Sequence, residues 1–309
     1  MQVLGADVSK DELTLFDGLS SFKRPNQVLK VRQLVSGLAP GSVVAMEATG
    51  SLHFLLADTA HAMGHTVYVL NPRMVRRYGV AVASRRGKSD PMDARLVHRF
   101  VTNEIGELRP YEPLPEWLRS LLSLVHKRGI LQRCKMSVRQ SFGGCEKLKD
   151  PVIAWMHATH ELTDAIDAQV QDLVRSSGEL DKYKRIREIK GVADVVAPAL
   201  FGTLCKGKFV SADAFVSFLG LDVKERQSGK WRGKSKLTKE GDSEVRRLLY
   251  LAAMAGCRAP EWKGLYQSYL TRMNRTRALV ALARKIARTA WSIFTHGTRF
   301  TPERIPKMA

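Results

Sequence analysis

The chain of 309 residues is 44% hydrophobic, enough for a sizeable core and for more than one domain. Its 50 Lys plus Arg outweigh 30 Asp plus Glu, giving a formal charge of +20, and no apolar run is long enough to span a bilayer. The four cysteines (Cys134, Cys145, Cys205, Cys257) are scattered without a C-x-x-C pair, which excludes a disulfide framework. His157 and His160 follow Cys134 and Cys145 in a loose zinc-like order, but the long irregular spacings suit a helix surface better. The start, Met1-Gln2-Val3-Leu4, lacks the basic residues and apolar core of a signal peptide, so a cytoplasmic, nucleoid-associated protein is expected.

In chain order, Val3–Asp7 and Leu13–Phe16 read as strands joined by a short connection, hence a hairpin. Ser42–Met46 and Thr66–Leu70 are further β-rich runs, each preceded by helix-length sequence. Residues 1–110 therefore predict an α/β layer domain. Pro110, Pro113 and Pro115 mark a boundary. Leu118, Leu121, Leu122 and Val125 then recur at helical spacing, continued by Leu131, Cys134 and Val138. After Gly143-Gly144 and Pro151, a second stretch carries Leu162, Ile166, Val170 and Leu173. Residues 111–185 thus predict an antiparallel helical hairpin that packs on itself or on another copy.

Residues 186–309 read as mostly helical. Ile189-Lys190-Gly191-Val192-Ala193 resembles a helix–hairpin–helix turn, in which a glycine offers backbone N–H groups to phosphate; Pro198 is expected to interrupt the following helix. A basic glycine-rich loop covers residues 227–236. Further on, Leu279, Leu282, Ala283, Ile286, Ala290 and Ile293 form an apolar stripe, with Arg277, Arg284 and Arg288 on another face of the same helix. Residues 221–309 hold 20 of the basic side chains against 7 acidic ones. That imbalance suggests a polyanion held through its phosphates; a solubilising surface and an anionic membrane are the alternatives. Lys190, Gly191, Lys230, Arg232, Lys234, Lys239 and Arg246 are the expected nucleic-acid-binding residues.

Four acids carry the candidate chemistry. Asp7 and Glu47 follow apolar runs, and Asp90 and Asp93 flank Pro91-Met92 at a helix start. Ligands of open α/β sheets bind beyond the carboxyl ends of strands, and two more carboxylates one helical turn apart can join them there. Such a set can hold divalent cations by oxygen and present them to a phosphodiester. Each acid also has an ordinary use: Asp90 as an N-cap before Pro91, Asp93 as a first-turn acid, Asp7 and Glu47 as loop-edge acids. Ser228-Gly229 likewise reads as a turn dipeptide, although Lys224, Arg226, Lys230 and Arg232 around it suit a phosphate-contacting loop.

Gly5-Ala6-Asp7-Val8-Ser9-Lys10, Met46-Glu47-Ala48-Thr49-Gly50 and residues 88–94 (Lys-Ser-Asp-Pro-Met-Asp-Ala) resemble the N-terminal signature of the DEDD transposases of insertion-sequence family 110, relatives of the Piv DNA invertase. Gly220-Leu221, Gln227-Ser228-Gly229, Leu237-Thr238-Lys239-Glu240-Gly241-Asp242 and Val245-Arg246-Arg247-Leu248 resemble its C-terminal signature, so the likeness spans nearly the whole chain. The chain departs from the pattern at two places. Asp222-Val223 stand where a proline often follows Gly-Leu, and Leu237-Thr238-Lys239 replaces Ile-Ser-Lys.

The resemblance implies an RNase-H-like, RuvC-type catalytic domain over residues 1–110, a coiled-coil segment over 111–185 and a helical transposase domain over 186–309. It implies Asp7, Glu47, Asp90 and Asp93 as catalytic metal ligands for Mg²⁺ or Mn²⁺, and Ser228 as a covalent nucleophile, with Ser235 and Ser243 as nearby competitors. It further implies donor and target DNA as partners, together with a structured non-coding guide RNA. Cutting several strands in register calls for a homo-oligomer, a dimer or tetramer, paired through the stripes of residues 118–138 and 162–173. The alternative activity is a RuvC-like structure-specific endonuclease using metal-activated water, with Ser228 only a turn residue.

Overall fold

The structure is a computed structural model that describes residues 2–82, 90–224, 227–228, 231–232 and 236–302, and the backbone alone at residues 90–92, 227–228 and 231–232. The chain divides into two compact units, Met1–Pro113 and Leu114–Ala309.

The first unit is built on β1 (Val3–Val8), β2 (Glu12–Phe16), β3 (Ser21–Pro25), α1 (Val28–Ser36), β4 (Val43–Glu47), α2 (Phe54–Ala62), β5 (Thr66–Leu70), α3 (Pro72–Val82) and α4 (Asp90–Glu104). Its five strands form one mixed sheet in the order β3-β2-β1-β4-β5. β1, β2 and β3 are antiparallel neighbours, whereas β4 runs parallel to β1 and β5 parallel to β4. The expected hairpin and the two later strands are present; β1 and β2 are one residue longer than expected, β4 is shifted by one, and β5 has the expected bounds. β3 was not expected. Its sequence Ser-Phe-Lys-Arg-Pro lacks a buried face because it is an edge strand, where charge and a terminal proline discourage further pairing.

Alternation splits β1 cleanly between two cores. Leu4, Ala6 and Val8 face Val31 and Val35 of α1 and Leu56, Ala57 and Ala60 of α2. Val3 of β1, with Val43 and Ala45 of β4, packs on the other face with Val97 and Val101 of α4 and Val75 of α3.

The second unit holds α5 (Glu116–Ser141), α6 (Lys149–Ser176), α7 (Leu180–Arg187), α8 (Val196–Cys205), α9 (Ala212–Phe218), β6 (Val223–Lys224), β7 (Gln227–Ser228), β8 (Trp231–Arg232), β9 (Lys236–Leu237), α10 (Ser243–Gly256), α11 (Pro260–Leu270) and α12 (Arg275–His296). Helices α5 and α6 are the expected hairpin, and their inner ends share one core with α7 to α12. Leu118, Leu121, Val125, Ile166 and Val170 are buried there, while Met136, Phe142, Ile153, Trp155 and Leu162 toward the hairpin tip are exposed. Pro198 does not interrupt a helix. Because α8 begins only at Val196, the proline falls in the first turn, where no intrahelical N–H partner is required.

Candidate active site

The register of the parallel pair fixes two of the four acids. Ala6 lies opposite Met46, so Asp7 and Glu47 are the next positions on adjacent parallel strands. Alternation places Asp7 with Val3 and Gly5, and Glu47 with Val43 and Ala45, on the face that packs α4. A glycine brings the helix to that face. A Cβ on Gly5 would lie 2.4 Å from Ala94 O and 2.7 Å from both Cβ and N of His98, so only glycine allows α4 to rest directly on β1. Asp93 immediately precedes Ala94, and Asp90 opens the same helix three residues earlier. Asp7, Glu47 and the first turn of α4 are therefore assembled at one face of one sheet. Among the described residues no three His, Cys, Asp or Glu side chains are grouped to hold a metal ion; the Asp90 side chain lies outside that description. The donor set itself, carboxylate oxygens only, suits a hard divalent cation.

His98 follows one turn along α4. It packs edge-on against Phe16 at 5.1 Å, and burial holds its imidazole below the ordinary value against the opposing charge of Asp17. Nothing in the local sequence distinguishes it from a surface helix residue; the packing of α4 on Gly5 does.

Ser228 sits on a small hairpin. Two ladders of two residues each, β6 with β9 and β7 with β8, carry it, and Ser228 pairs with Trp231 at the last rung before residues 229–230. The base of this hairpin is a tight crossing of backbones. A Cβ on Gly220 (φ +67°) would lie 2.6 Å from the amides of Glu240 and Gly241, and one on Gly241 would lie 2.2 Å from Phe218 O. Arg246 of α10 clasps both segments by donating to Leu219 O at 3.1 Å and to Gly241 O. Lys239, a non-glycine residue at φ +54°, donates its N–H to Gly220 O at 3.0 Å. The two departures from the family pattern meet here. Thr238 hydrogen-bonds the Asp222 carboxylate through its hydroxyl and the Asp222 carbonyl through its amide, so the residue replacing one familiar position supports the residue replacing the other.

The clasp is tied to α5 by ionised groups. Asp242 caps α10, accepting from Glu244 N at 2.8 Å and Val245 N at 3.3 Å, and its other oxygen meets His126 Nε2 at 2.6 Å. Hydrogen bonding to Asp242 raises the His126 imidazole against the cost of burial. Burial alone would raise the Asp242 carboxyl, but His126 and the two amides outweigh it and hold the group below its ordinary value. Two positions on, Glu244 is buried against Gly129 and bonded to Arg133 at 2.9 Å and Arg247 at 3.0 Å. Burial opposes its charge, and the two guanidiniums prevail. Sequence reading missed His126, Asp222 and Glu244; their partners Asp242, Thr238 and Arg133 are 116, 16 and 111 residues away, and only the Glu244–Arg247 pair is local.

Of the expected nucleic-acid-binding residues, Lys190 is exposed and its carbonyl accepts from Trp262 Nε1 at 2.9 Å. Gly191 (φ +91°) packs on α10, where a Cβ would lie 2.3 Å from Ala252 O. Lys239 is exposed, and Arg246 stands in the clasp. Lys230 and Lys234 lie outside the described residues, as do Ser235 and the side chains of Ser228 and Arg232.

Residues 5–141 match a family model described as "Transposase", for IS110-type DEDD enzymes, and residues 183–267 match one described as "Transposase IS116/IS110/IS902 family". The chain belongs to the IS110 family of DEDD transposases. It is 25% identical to the transposase for insertion sequence element IS1328 of Yersinia enterocolitica, over 97% of this chain and 98% of that one. It is 24% identical to a putative transposase, y4pF/y4sB, of Sinorhizobium fredii, over 96% and 85%. A pilin gene-inverting protein of Moraxella bovis is 24% identical over 82% and 80%, so this transposase also resembles a protein that inverts DNA. Among the described residues of the transposase no helix is long and apolar enough to cross a membrane.

Proposed function

We propose that this transposase mobilises its own insertion sequence by cutting and rejoining DNA through a serine-linked intermediate. The observation that carries the reading is the common face shared by Asp7, Glu47 and the first turn of α4, an RNase-H-like arrangement on a mixed sheet. Asp7, Glu47, Asp90 and Asp93 are the residues that would hold Mg²⁺ or Mn²⁺. The chemistry such ions supply when bound is Lewis-acid polarisation of phosphate oxygens.

Ser228, at the last rung of a braced hairpin, supplies the nucleophile. Its oxygen forms a bond to phosphorus as the bond to one deoxyribose oxygen breaks, and the serine proton passes to the departing strand as a hydroxyl. Attack by a strand hydroxyl on the phosphoserine reverses the exchange, returning a proton to Ser228 and sealing a new phosphodiester. No high-energy cofactor is consumed, because bond energy is conserved in the covalent link. The acid face and the serine hairpin must serve one phosphate, whether one chain or two provide them. Donor and target DNA are the substrates, a structured guide RNA encoded by the element selects them by base pairing, and the working species is a homo-oligomer.

The decisive experiment incubates the protein with its RNA, Mg²⁺ and cleavable donor and target DNA, then denatures it. The expected product is a protein–DNA adduct that releases a phosphoserine peptide on digestion. Strand cleavage with no adduct at any time point would replace this reading with hydrolysis by metal-activated water.

A further inference from the structure

Helix α12 ends at Gly297, whose left-handed φ of +64° reverses the chain. Two interactions fix the returning segment. Arg185 of α7 donates to Gly297 O, and the Phe300 ring lies 5.7 Å from the ring of the fully buried Trp262. Between residues 298–301 and α12 this leaves a cavity of about 160 Å³, several times the ~30 Å³ that one water occupies.

The lining is cationic and rich in hydroxyl groups. Lys285, Arg288, Thr289 and Ser292 project from one face of α12, and Thr298 and Arg299 close the other side. Among the described residues no Asp, Glu, Asn or Gln lines it. Arg288 is paired with Asp213 of α9. Lys285 and Arg299 make no ion pair with any described residue, and the Thr289, Ser292 and Thr298 hydroxyls donate no hydrogen bond among the described residues. Burial first, then the charge of Arg288, push the Lys285 ammonium below its ordinary value, a cost that an anion in the cavity removes.

We propose that this cavity seats one phosphate of a nucleic-acid backbone, with Lys285 and Arg299 supplying charge and the three hydroxyls supplying hydrogen bonds. Donors that converge from two sides suit a tetrahedral phosphate better than a planar carboxylate. Without an amide or carboxylate to read base edges, the contact positions the polymer and carries no sequence information. The assignment rests on the transposase reading for the presence of a polymer. DNA and RNA share the phosphate chemistry, and the experiment separates them.

The full-length protein, Lys285→Gln/Arg299→Gln and Thr298→Asp are each titrated with a labelled DNA duplex and with a labelled structured RNA, at several salt concentrations. Arg288 and Phe300 are left in place to keep the helix and tail anchored, and thermal unfolding checks this. For the polymer that occupies the cavity, the double variant should reduce the slope of log affinity against log salt by about one, the share of one phosphate. Between roughly 50 and 200 mM salt it would then lose about three- to fourfold less affinity than wild type. Thr298→Asp, which adds a negative charge but removes no cation, should weaken the same polymer at low salt by roughly tenfold. A change with RNA alone or DNA alone supports the site and assigns its source. Unchanged slopes and affinities for both polymers, with tight wild-type binding, overturn the cavity assignment and leave the transposase reading intact. A wild-type protein that binds neither polymer overturns both.

Discussion

Asp7 and Glu47 ride on strands of six and five residues whose neighbours, faces and register are set by hydrogen-bonded ladders. Ser228 rides on a ladder of two residues, which has almost no core of its own. Its position depends on crossed glycine backbones, the Arg246 clasp and the Asp242 cap bonded to His126. The acid face is thus placed by secondary structure and the serine by tertiary bracing, so damage should spread differently in the two units.

Removing the groups proposed to react should give the largest effects and sharpen the contrast. Ser228→Ala should eliminate adduct and recombination while folding and RNA binding persist, whereas Ser235→Ala and Ser243→Ala still form the adduct. Asp7→Asn and Asp93→Asn should abolish cleavage and leave nucleic-acid binding largely intact, read by strand cleavage beside a gel-shift assay. Full cleavage by either variant would break the acid-face half of the comparison, and an adduct from Ser228→Ala would break the other half.

Next come the glycines that each region relies on. Gly5→Ala places a methyl 2.4 Å from Ala94 O, and Gly241→Ala places one 2.2 Å from Phe218 O. Backbone must move in both, at a cost of about 1–3 kcal/mol in denaturant unfolding. Gly5→Ala should reduce cleavage of every substrate by displacing α4, and Gly241→Ala should reduce adduct formation by displacing the serine hairpin. Wild-type activity in both would show that neither close approach positions the chemistry.

Glu244→Ala removes a buried carboxylate but leaves two arginines, Arg133 and Arg247, that reach solvent. Its expected cost is smaller, about 1–2 kcal/mol, with the unfolding midpoint as the readout.

The smallest effect is a pH dependence confined to the second unit. His126 is raised above its ordinary 6.5, so its bond to Asp242 contributes stability fully below 6.5 and loses it as pH rises through the raised value. Asp242 is lowered, so its contribution is present above the ordinary carboxyl value and lost as pH falls through the lowered one. The difference in melting temperature between wild type and His126→Gln should therefore be greatest on the acidic side of neutrality and shrink toward alkaline pH. A difference independent of pH would mean that the pair does not titrate as the geometry implies.

Much of the first unit was legible because its signals are local. Continuous apolar runs marked the buried parallel strands, and an acid directly after those of β1 and β4 marked Asp7 and Glu47. β3 escaped because an exposed, charged edge strand has no apolar face to recognise. In the second unit, the helical periods of α5, α6 and α12 were readable, but Pro198 misled because a proline disrupts only a helix interior, and the start of α8 was not visible in the sequence.

By itself, the sequence determined the charge asymmetry, the alternation that divides β1 between two cores, the helix periods and the two family signatures. These follow from composition and short-range spacing, which no packing alters. The tertiary structure alone decided that α4 rests on Gly5, that Asp222 partners Thr238, that His126 holds the cap of α10, and that residues 298–301 line one side of an open cationic cavity. Each joins groups far apart along the chain or on different elements, and such pairings are chosen by burial and backbone approach, which a linear pattern does not encode.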